Sequence, residues 1–242
     1  MPVLIRPRND VRQYDDLVDH WWDERGAFAM LHWIAKARAD LIPRATSSDA
    51  VLVDLACGGG LLAPYVRPLG YHHVGVDLTM SALRLAAGHG VSAVRADVTR
   101  LPLRDDLADV VTVGEILEHV VAPDAVLDEA CRVLRPGGRL VIDTIAATRR
   151  ARLLAVTIAE RVPGMAPVGI HDPALFVDRA ALVRTCARHG ITLRLRGLRL
   201  DVPSALAWRL GRRDSARLVP TRSTAVLFQA WGQAPTEAGE TA

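Results

Sequence analysis

Short apolar runs alternating with helical stretches set the pattern of this chain. Residues 51–55, 73–77, 93–95, 109–113 and 140–144 read as strands. Between them, residues 61–69, 81–87 and 123–134 carry helical spacing, with Ser81 placed to cap its helix and Pro64 tolerated only in a first turn. Arg135-Pro136-Gly137-Gly138 reads as a turn closing the third of these helices. Strands this short and this continuously apolar, alternating with helices, predict a parallel sheet covered on both faces. Right-handed crossovers then favour a doubly wound, Rossmann-like α/β sandwich.

The flanks follow other patterns. Residues 11–44 are helical in spacing, carry Tyr14, Trp21, Trp22, Phe28 and Trp33, and break at Gly26. Residues 148–171 read as an insertion after the fifth strand: a basic, partly apolar helix and then a Pro/Gly-rich loop. A helix at 178–189 and strands at 191–200 and 224–231 would complete a mostly parallel, seven-stranded sheet. The expected organisation is a helical cap at 1–45, a core at 46–147, an insertion or lid at 148–177, the rest of the same domain at 178–232, and a disordered tail at 233–242.

Composition narrows the function. Half of the 242 residues are apolar, enough for a full core, and a net charge of +3 is too small to imply nucleic acid. Lys36 is the only lysine, and the arginines show no run that demands a polyanion. Cys57, Cys131 and Cys186 lie far apart without a CxxC pair, which fits a reducing compartment. No apolar run approaches the ~20 residues that cross a bilayer, and no signal-peptide pattern opens the chain. A cytoplasmic protein is expected, as monomer or homodimer.

The candidate chemistry begins at VLVDLACGGG, residues 51–60. An apolar strand ends in Asp54, glycines follow at once, and a second acid, Asp77, ends the next strand. Glycines allow close backbone approach, and a carboxylate can accept both hydrogen bonds of a ribose diol. This describes a nucleoside crevice, open so far to NAD and to S-adenosylmethionine. Three further segments favour the second. These are Ala96-Asp97-Val98 after the third strand, Leu134-Arg135-Pro136-Gly137-Gly138 before the fifth, and the stretch 109–120 that joins the fourth strand to a helix. Together they resemble the class I S-adenosylmethionine-dependent methyltransferases. Tyr14-Asp15-x-Leu17, His20-Trp21-Trp22-Asp23 with Gly26-x-Phe28, Glu115-Ile-Leu-Glu118-His119 and Gly169-x-His171-Asp172 resemble more closely the O-methyltransferases of ubiquinone biosynthesis, over about residues 12–200.

That resemblance implies a cofactor site. Asp54, Ala56, Gly58 and Gly60 would shape the pocket for the methionine part of S-adenosylmethionine, Asp77 would take the ribose and Leu78 would lie near the adenine. Asp97 and Val98 would flank the adenine edge, Arg38 would pair with the methionine carboxylate, and Gly114 would contact cofactor through main chain. Two positions depart from the family: Ala56 replaces the usual first glycine, and Gly114 stands where a larger residue such as Met is common.

Glu115, Glu118 and His119 have i, i+3, i+4 spacing and would share one helix face at the carboxyl end of a central strand. Three readings stand side by side. The trio holds Mg²⁺ or another divalent cation that orients a phenolate; His119 works as a metal-free general base; or the three merely open an exposed helix. The resemblance implies a hydroxylated aromatic acceptor of catechol or quinol type, prenylated as a quinone precursor, with His171, Asp172, Tyr14 and Trp22 as substrate contacts. A phenolic natural product is the alternative acceptor, and a non-catalytic cofactor-binding protein the alternative role. The basic, partly apolar stretch 149–162 would suit peripheral contact with the inner membrane face.

Overall fold

The structure, a computed structural model, describes residues 6–162 and 165–236. Helix α1 (Arg12–Asp16) is short and passes through a 3₁₀ turn at Val18–His20; α2 (Ala29–Ala39) follows the break around Gly26. The core then runs β1 (Val51–Leu55), α3 (Ala63–Val66), β2 (His72–Asp77), α4 (Met80–Gly88), β3 (Ser92–Arg95), β4 (Ala108–Gly114), α5 (Pro123–Val133) and β5 (Leu134–Ile145). A short α6 (Arg149–Ala151) continues as a π-helical stretch, Arg152–Ile158, and a 3₁₀ turn, Ala159–Arg161. The chain ends with α7 (Arg179–Arg188), β6 (Arg194–Leu200), α8 (Val202–Arg209), β7 (Leu218–Thr221) and β8 (Leu227–Gln233).

One sheet of eight strands results, ordered β3-β2-β1-β4-β5-β8-β6-β7. Strands β1 to β5 pair in parallel, while β8, β6 and β7 add on antiparallel. The order reverses between β1 and β4, which leaves a crevice at their carboxyl ends.

Strand alternation decides what faces that crevice. Val53, Leu55, Val111, Val113, Leu140 and Ile142 pack with α5 and α7 on one face. Leu52, Val110 and Val141 pack with Phe28, Ala35, Leu62 and Val66 on the other. Side chains two apart share a face, so Asp54, Thr112, Gly114 and Asp143 all turn toward α2. Register completes the set, opposing Asp54 to Thr112 and Gly114 to Asp143.

The sheet is mostly parallel and Rossmann-like as expected, with eight strands where the pattern predicts seven. Strand β7 and helix α8 were not anticipated: 202–210 lacks a polar face, and Pro203 and Pro220 interrupt the spacing. Thr79, not Ser81, occupies the N-cap position of α4, and the Ser81 hydroxyl instead bonds to Asp15. Arg135–Gly138 is no simple turn. The ladder jumps from Ala108↔Leu134 to Val110↔Arg139, so these residues bulge out at the start of β5. Most of the expected tail lies outside the described residues. Its first part is ordered, since Gln233 ends β8 and Ala234 donates to the Gly138 carbonyl. Among the described residues no helix is long and apolar enough to cross a membrane.

Candidate active site

After β1 the backbone turns sharply through Ala56, Gly58 and Gly60, all at positive φ (56°, 51° and 80°). The turn delivers the Gly58 N–H to the Asp77 carboxylate at 2.9 Å, and Thr79 N–H donates to its other oxygen at 2.8 Å. Burial nevertheless lifts the Asp77 carboxyl above the ordinary range. The indole of Trp21 lies across Gly58, where an added Cβ would come within 2.4 Å of its ring. Gly60 serves packing instead, against Ala86 of α4. Asp97 accepts from Thr99 through one oxygen, the other has no hydrogen bond among the described residues, and the apolar Leu78 is half exposed.

Beneath the turn lies a buried polar layer. Arg38 reaches over Gly114 and grips Asp143 with two hydrogen bonds, of 2.6 and 2.7 Å. Burial works against the guanidinium charge, but Asp143 outweighs it and holds the pKa above its ordinary value. Asp54 accepts from Thr112 and lies 3.5 Å from His73; burial resists its charge, and these partners with Arg38 still keep the carboxyl below its usual range. Glu115 sits at φ 51°, a left-handed conformation that strains a side chain of its size. Burial, reinforced by the charges of Glu118 and Asp143, pushes its carboxyl well above the ordinary value.

The three side chains expected to hold a divalent cation diverge. Only Leu117–His119 is helical there, a single 3₁₀ turn, so the expected helix face does not exist. Glu118 turns into the core and accepts from Thr144 at 2.7 Å, its carboxyl pushed up to about 7 by burial. Glu115 stays beside Asp143 and Arg38, and His119 bonds to Asn9. Among the described residues no group of three or more His, Cys, Asp or Glu is placed to hold a metal. Glu115, Glu118 and His119, expected to hold a cation together, are thus not gathered around one point in this structure.

His119 stands at the junction of several segments. Its Nδ1 lies 2.6 Å from Asn9 Oδ1, its ring stacks on His171 at 5.5 Å, and Tyr14 meets it edge-on at 6.4 Å. Burial, with His171 beside it, lowers the imidazole pKa to about 3, so the ring is neutral at physiological pH. Glu160 gathers the loop over this point: it takes Arg8 and the Gly169 N–H at 3.0 Å each, while Arg8 also donates to the His171 carbonyl. Tyr14 is stacked on Trp21 and Phe28, its hydroxyl pKa raised by burial first and by Glu118 second.

A cavity of about 670 Å³ runs through all of this. Arg38, Asp54, Ala56, Gly58, Asp77, Leu78, Asp97, Val98, Gly114, Glu115, Tyr14, His119 and His171 border it. Gly60, Glu118, Trp22 and Asp172 do not. Trp22 faces away, donating to the Gly59 carbonyl and stacking on His89 at 3.6 Å. Asp172 folds back onto the Ala174 N–H.

A methyltransferase-domain family model matches residues 53–142, from the middle of β1 into β5. The chain is 34% identical to a ubiquinone biosynthesis O-methyltransferase of Hahella chejuensis, covering 79% of this chain and 87% of the relative. It is 32% identical to one of Xylella fastidiosa, covering 87% of each. The chain belongs to the ubiquinone biosynthesis O-methyltransferase family. It is thus a class I S-adenosylmethionine-dependent methyltransferase. A solved S-adenosylmethionine-dependent methyltransferase of Thermotoga maritima shares the fold, with a TM-score of 0.65 at 19% identity over 92% of this chain and 96% of that one.

Membership makes the two departures informative. At Ala56 the φ of 56° explains a family glycine: the position demands a left-handed backbone, and alanine adopts it under strain. At Gly114 a Cβ would stand 1.8 Å from Arg38 Cζ. In this chain the arginine occupies the space that a larger residue would need. The cradle suits S-adenosylmethionine: an Asp97 oxygen with no hydrogen bond among the described residues, a half-exposed Leu78, and an acid at the end of β2 face one space.

Four residues at or beneath the site went unrecognised in the sequence. Asp143 sits in LVIDTI, and an acid inside an apolar strand is itself a signal, because a fully buried carboxylate needs a partner. His73 lies in the expected second strand, but its buried place beside Asp54 carried no local signal. Asn9 and Glu160 carry no local signal, since their partners lie 110 residues away and across the loop.

Proposed function

We propose that this methyltransferase transfers the methyl group to a phenolic hydroxyl of a catechol-like or quinol ring that carries a prenyl-type tail. The observation that carries the reading is the make-up of the cavity. Beside its acidic, glycine-lined part and His119, it is lined by Met30, Leu31, Ile34, Leu154, Ile158 and Leu218, of which Met30, Leu31, Ile34 and Leu218 pack together. An apolar lobe of this kind suits a hydrocarbon chain, at roughly 0.8 kcal/mol per buried methylene.

In this reading Asp77, Leu78, Asp97 and Val98 hold the nucleoside, and Asp54, Ala56, Gly58, Gly114 and Arg38 surround the methionine part. The Nη1 of Arg38 has no protein hydrogen bond among the described residues and is free for a carboxylate. Bound S-adenosylmethionine supplies a methyl group already activated on sulfur. The protein aligns the hydroxyl with it and takes the proton. His119 Nε2 accepts that proton as the hydroxyl oxygen bonds to the methyl carbon and the carbon–sulfur bond breaks. An imidazole with a pKa near 3 cannot form free phenolate, since the gap to a phenol near pH 10 amounts to about 10 kcal/mol. Proton loss is therefore concerted with methyl transfer, when the oxygen becomes strongly acidic. Tyr14 and His171 flank the ring, and residues 148–177 act as a lid that excludes water.

The outer side of the lid supports a second part of the proposal, peripheral membrane contact. Leu153 is 52% exposed; Leu154, Ile158 and Val162, at the rim where the cavity opens, are 40–45% exposed, with Arg149, Arg150, Arg152 and Arg161 beside them in sequence. Vesicles with and without anionic lipid test it: sedimentation with the anionic ones is expected, and Leu153→Asp should abolish it.

The test of the reaction is transfer from labelled S-adenosylmethionine to catechols with no tail, a short alkyl tail and a geranyl tail, in EDTA and in Mg²⁺. Transfer that grows with tail length, persists in EDTA and falls on the order of 10²- to 10⁴-fold in His119→Ala is expected. Transfer abolished by EDTA and restored by Mg²⁺ would return a metal to the mechanism. Equal rates for all tails would remove the prenyl assignment.

A further inference from the structure

We infer that Asp143 is a positioning residue for cofactor binding: it holds the Arg38 guanidinium so that its open edge meets the methionine carboxylate of S-adenosylmethionine. The inference rests on the assignment of Arg38 to that carboxylate above. Arg38 stands near the end of α2 and reaches Asp143 on β5. Its Nε donates to Asp143 Oδ2 at 2.6 Å and its Nη2 to Oδ1 at 2.7 Å. Two parallel bonds fix the plane of a guanidinium, whereas one bond leaves it free to swivel. The edge formed by Nη1 and the second hydrogen of Nη2 stays open, and it has the fork shape that a second carboxylate fits. Nη1 makes no hydrogen bond among the described residues and is not sealed off. Arg38 borders the cavity, while the fully buried Asp143 does not. Asp143 therefore acts on a ligand only through the arginine.

The clamp depends on register. Gly114 opposes Asp143 across the β4–β5 ladder, and its missing side chain is what lets the guanidinium cross β4 to reach that acid. Asp54 faces the same layer, opposite Thr112, and also borders the cavity. An arginine released from Asp143 would have Asp54 as an alternative partner, and would then lie over the space assigned to the methionine part of the cofactor. Held by Asp143, it gives up its rotamer freedom when the chain folds, so little is left to lose when a carboxylate arrives. Affinity for the carboxylate of a ligand should thus depend on Asp143, and affinity for its nucleoside should not.

Calorimetry with two ligands tests this: S-adenosylmethionine, and decarboxylated S-adenosylmethionine, which keeps the adenosine, the sulfonium and the amine and lacks only the carboxylate. The proteins are the wild type, Arg38→Ala, Asp143→Ala and Asp143→Asn, each checked by thermal melting. The wild type should prefer the carboxylate-bearing ligand on the order of 10- to 100-fold, and Arg38→Ala should erase that preference. Asp143→Ala should reduce the preference about tenfold, with the Kd of the decarboxylated ligand within about twofold of wild type. Asp143→Asn keeps one acceptor and carries the test if Asp143→Ala does not fold; it should reduce the preference about threefold. A wild-type preference in the folded Asp143 variants, alongside its loss in Arg38→Ala, would overturn the proposal. Equal weakening of both ligands in those variants, with a lower Tm, would assign Asp143 a merely structural role and overturn it too. No preference in the wild type, or a full one in Arg38→Ala, would instead overturn the assignment of Arg38 to the carboxylate.

Discussion

Around Asp54 and Asp143 the cavity wall is made of strand register and buried charge; around Met30 and Ile158 it is made of apolar side chains on separate segments. At the first end the positions are set by hydrogen-bonded partners, Asp54 beside Thr112 and Gly114 beside Asp143, with Arg38 clamped across them. At the second end α2 and the stretch after α6 pack with apolar side chains against the paired strands β6 and β7. Such a wall can re-form around a different chain length, because apolar contacts are non-directional. A rigid end suits an invariant cofactor, and a compliant end would suit the tail of the proposed substrate.

The contrast can be broken first at Gly114. Gly114→Ala would place a carbon 1.8 Å from Arg38 Cζ, expel the guanidinium and leave Asp143 buried without its partner. A loss of about 3–5 kcal/mol in urea unfolding is expected, with weakened S-adenosylmethionine binding by calorimetry. A loss under 1 kcal/mol would mean that the polar layer rearranges freely.

Glu118 sharpens the same end through pH. Its carboxyl is pushed from the ordinary value near 4.5 up to about 7. The folded protein therefore holds a proton there that the unfolded chain releases, and this contribution is full below pH 4.5 and lost as pH rises through 7. Glu118→Gln cannot release a proton. Relative to wild type it should gain on the order of 2–3 kcal/mol between pH 5 and pH 8, read as the difference in denaturation midpoints. Parallel pH profiles for the two proteins would place the Glu118 pKa near its unfolded value.

The compliant end should respond through substrates rather than stability. Leu154→Ser with Ile158→Ser should lower kcat/KM for a geranyl catechol about tenfold or more, while a tailless catechol changes less than about twofold, since each deleted contact removes roughly 1 kcal/mol of apolar burial. Equal losses for both acceptors would assign these residues to lid closure instead of tail binding. The smallest effect is expected at Ala56. Removing its Cβ relieves the left-handed strain but frees the unfolded chain, so Ala56→Gly should stabilise by about 0.5 kcal/mol, a sign opposite to most Ala→Gly changes.

The same contrast explains what could be read in the chain beforehand. The cofactor end was legible because its determinants are local: glycines follow a strand by one turn, and acids end apolar runs. Ala56 and Gly114 stood out as departures, and the backbone supplies the reason for each. Glu115-x-x-Glu118-His119 misled because spacing implies a shared face only if a helix forms. Here the chain leaves β4 through a left-handed Glu115 and makes one 3₁₀ turn. Asn9 and the apolar lobe were illegible for another reason: their partners are distant in sequence, and pattern carries no information about which distant segments meet.

Chain order within the cavity has a consequence for biogenesis. The glycine turn, both strand-end acids and Gly114 fall between residues 51 and 114, and with β5 complete by residue 145 the sheet centre can assemble from consecutive segments. The apolar lobe joins α2, made early, to β6 and β7, which emerge only after residue 193. Until then α2 presents Met30, Leu31 and Ile34 with no β6 or β7 to cover them. Contacts of such long sequence separation form late. During synthesis the half-built protein therefore carries a greasy helix beside a nearly finished nucleoside crevice, and residues 30–34 are covered only when the last strands arrive.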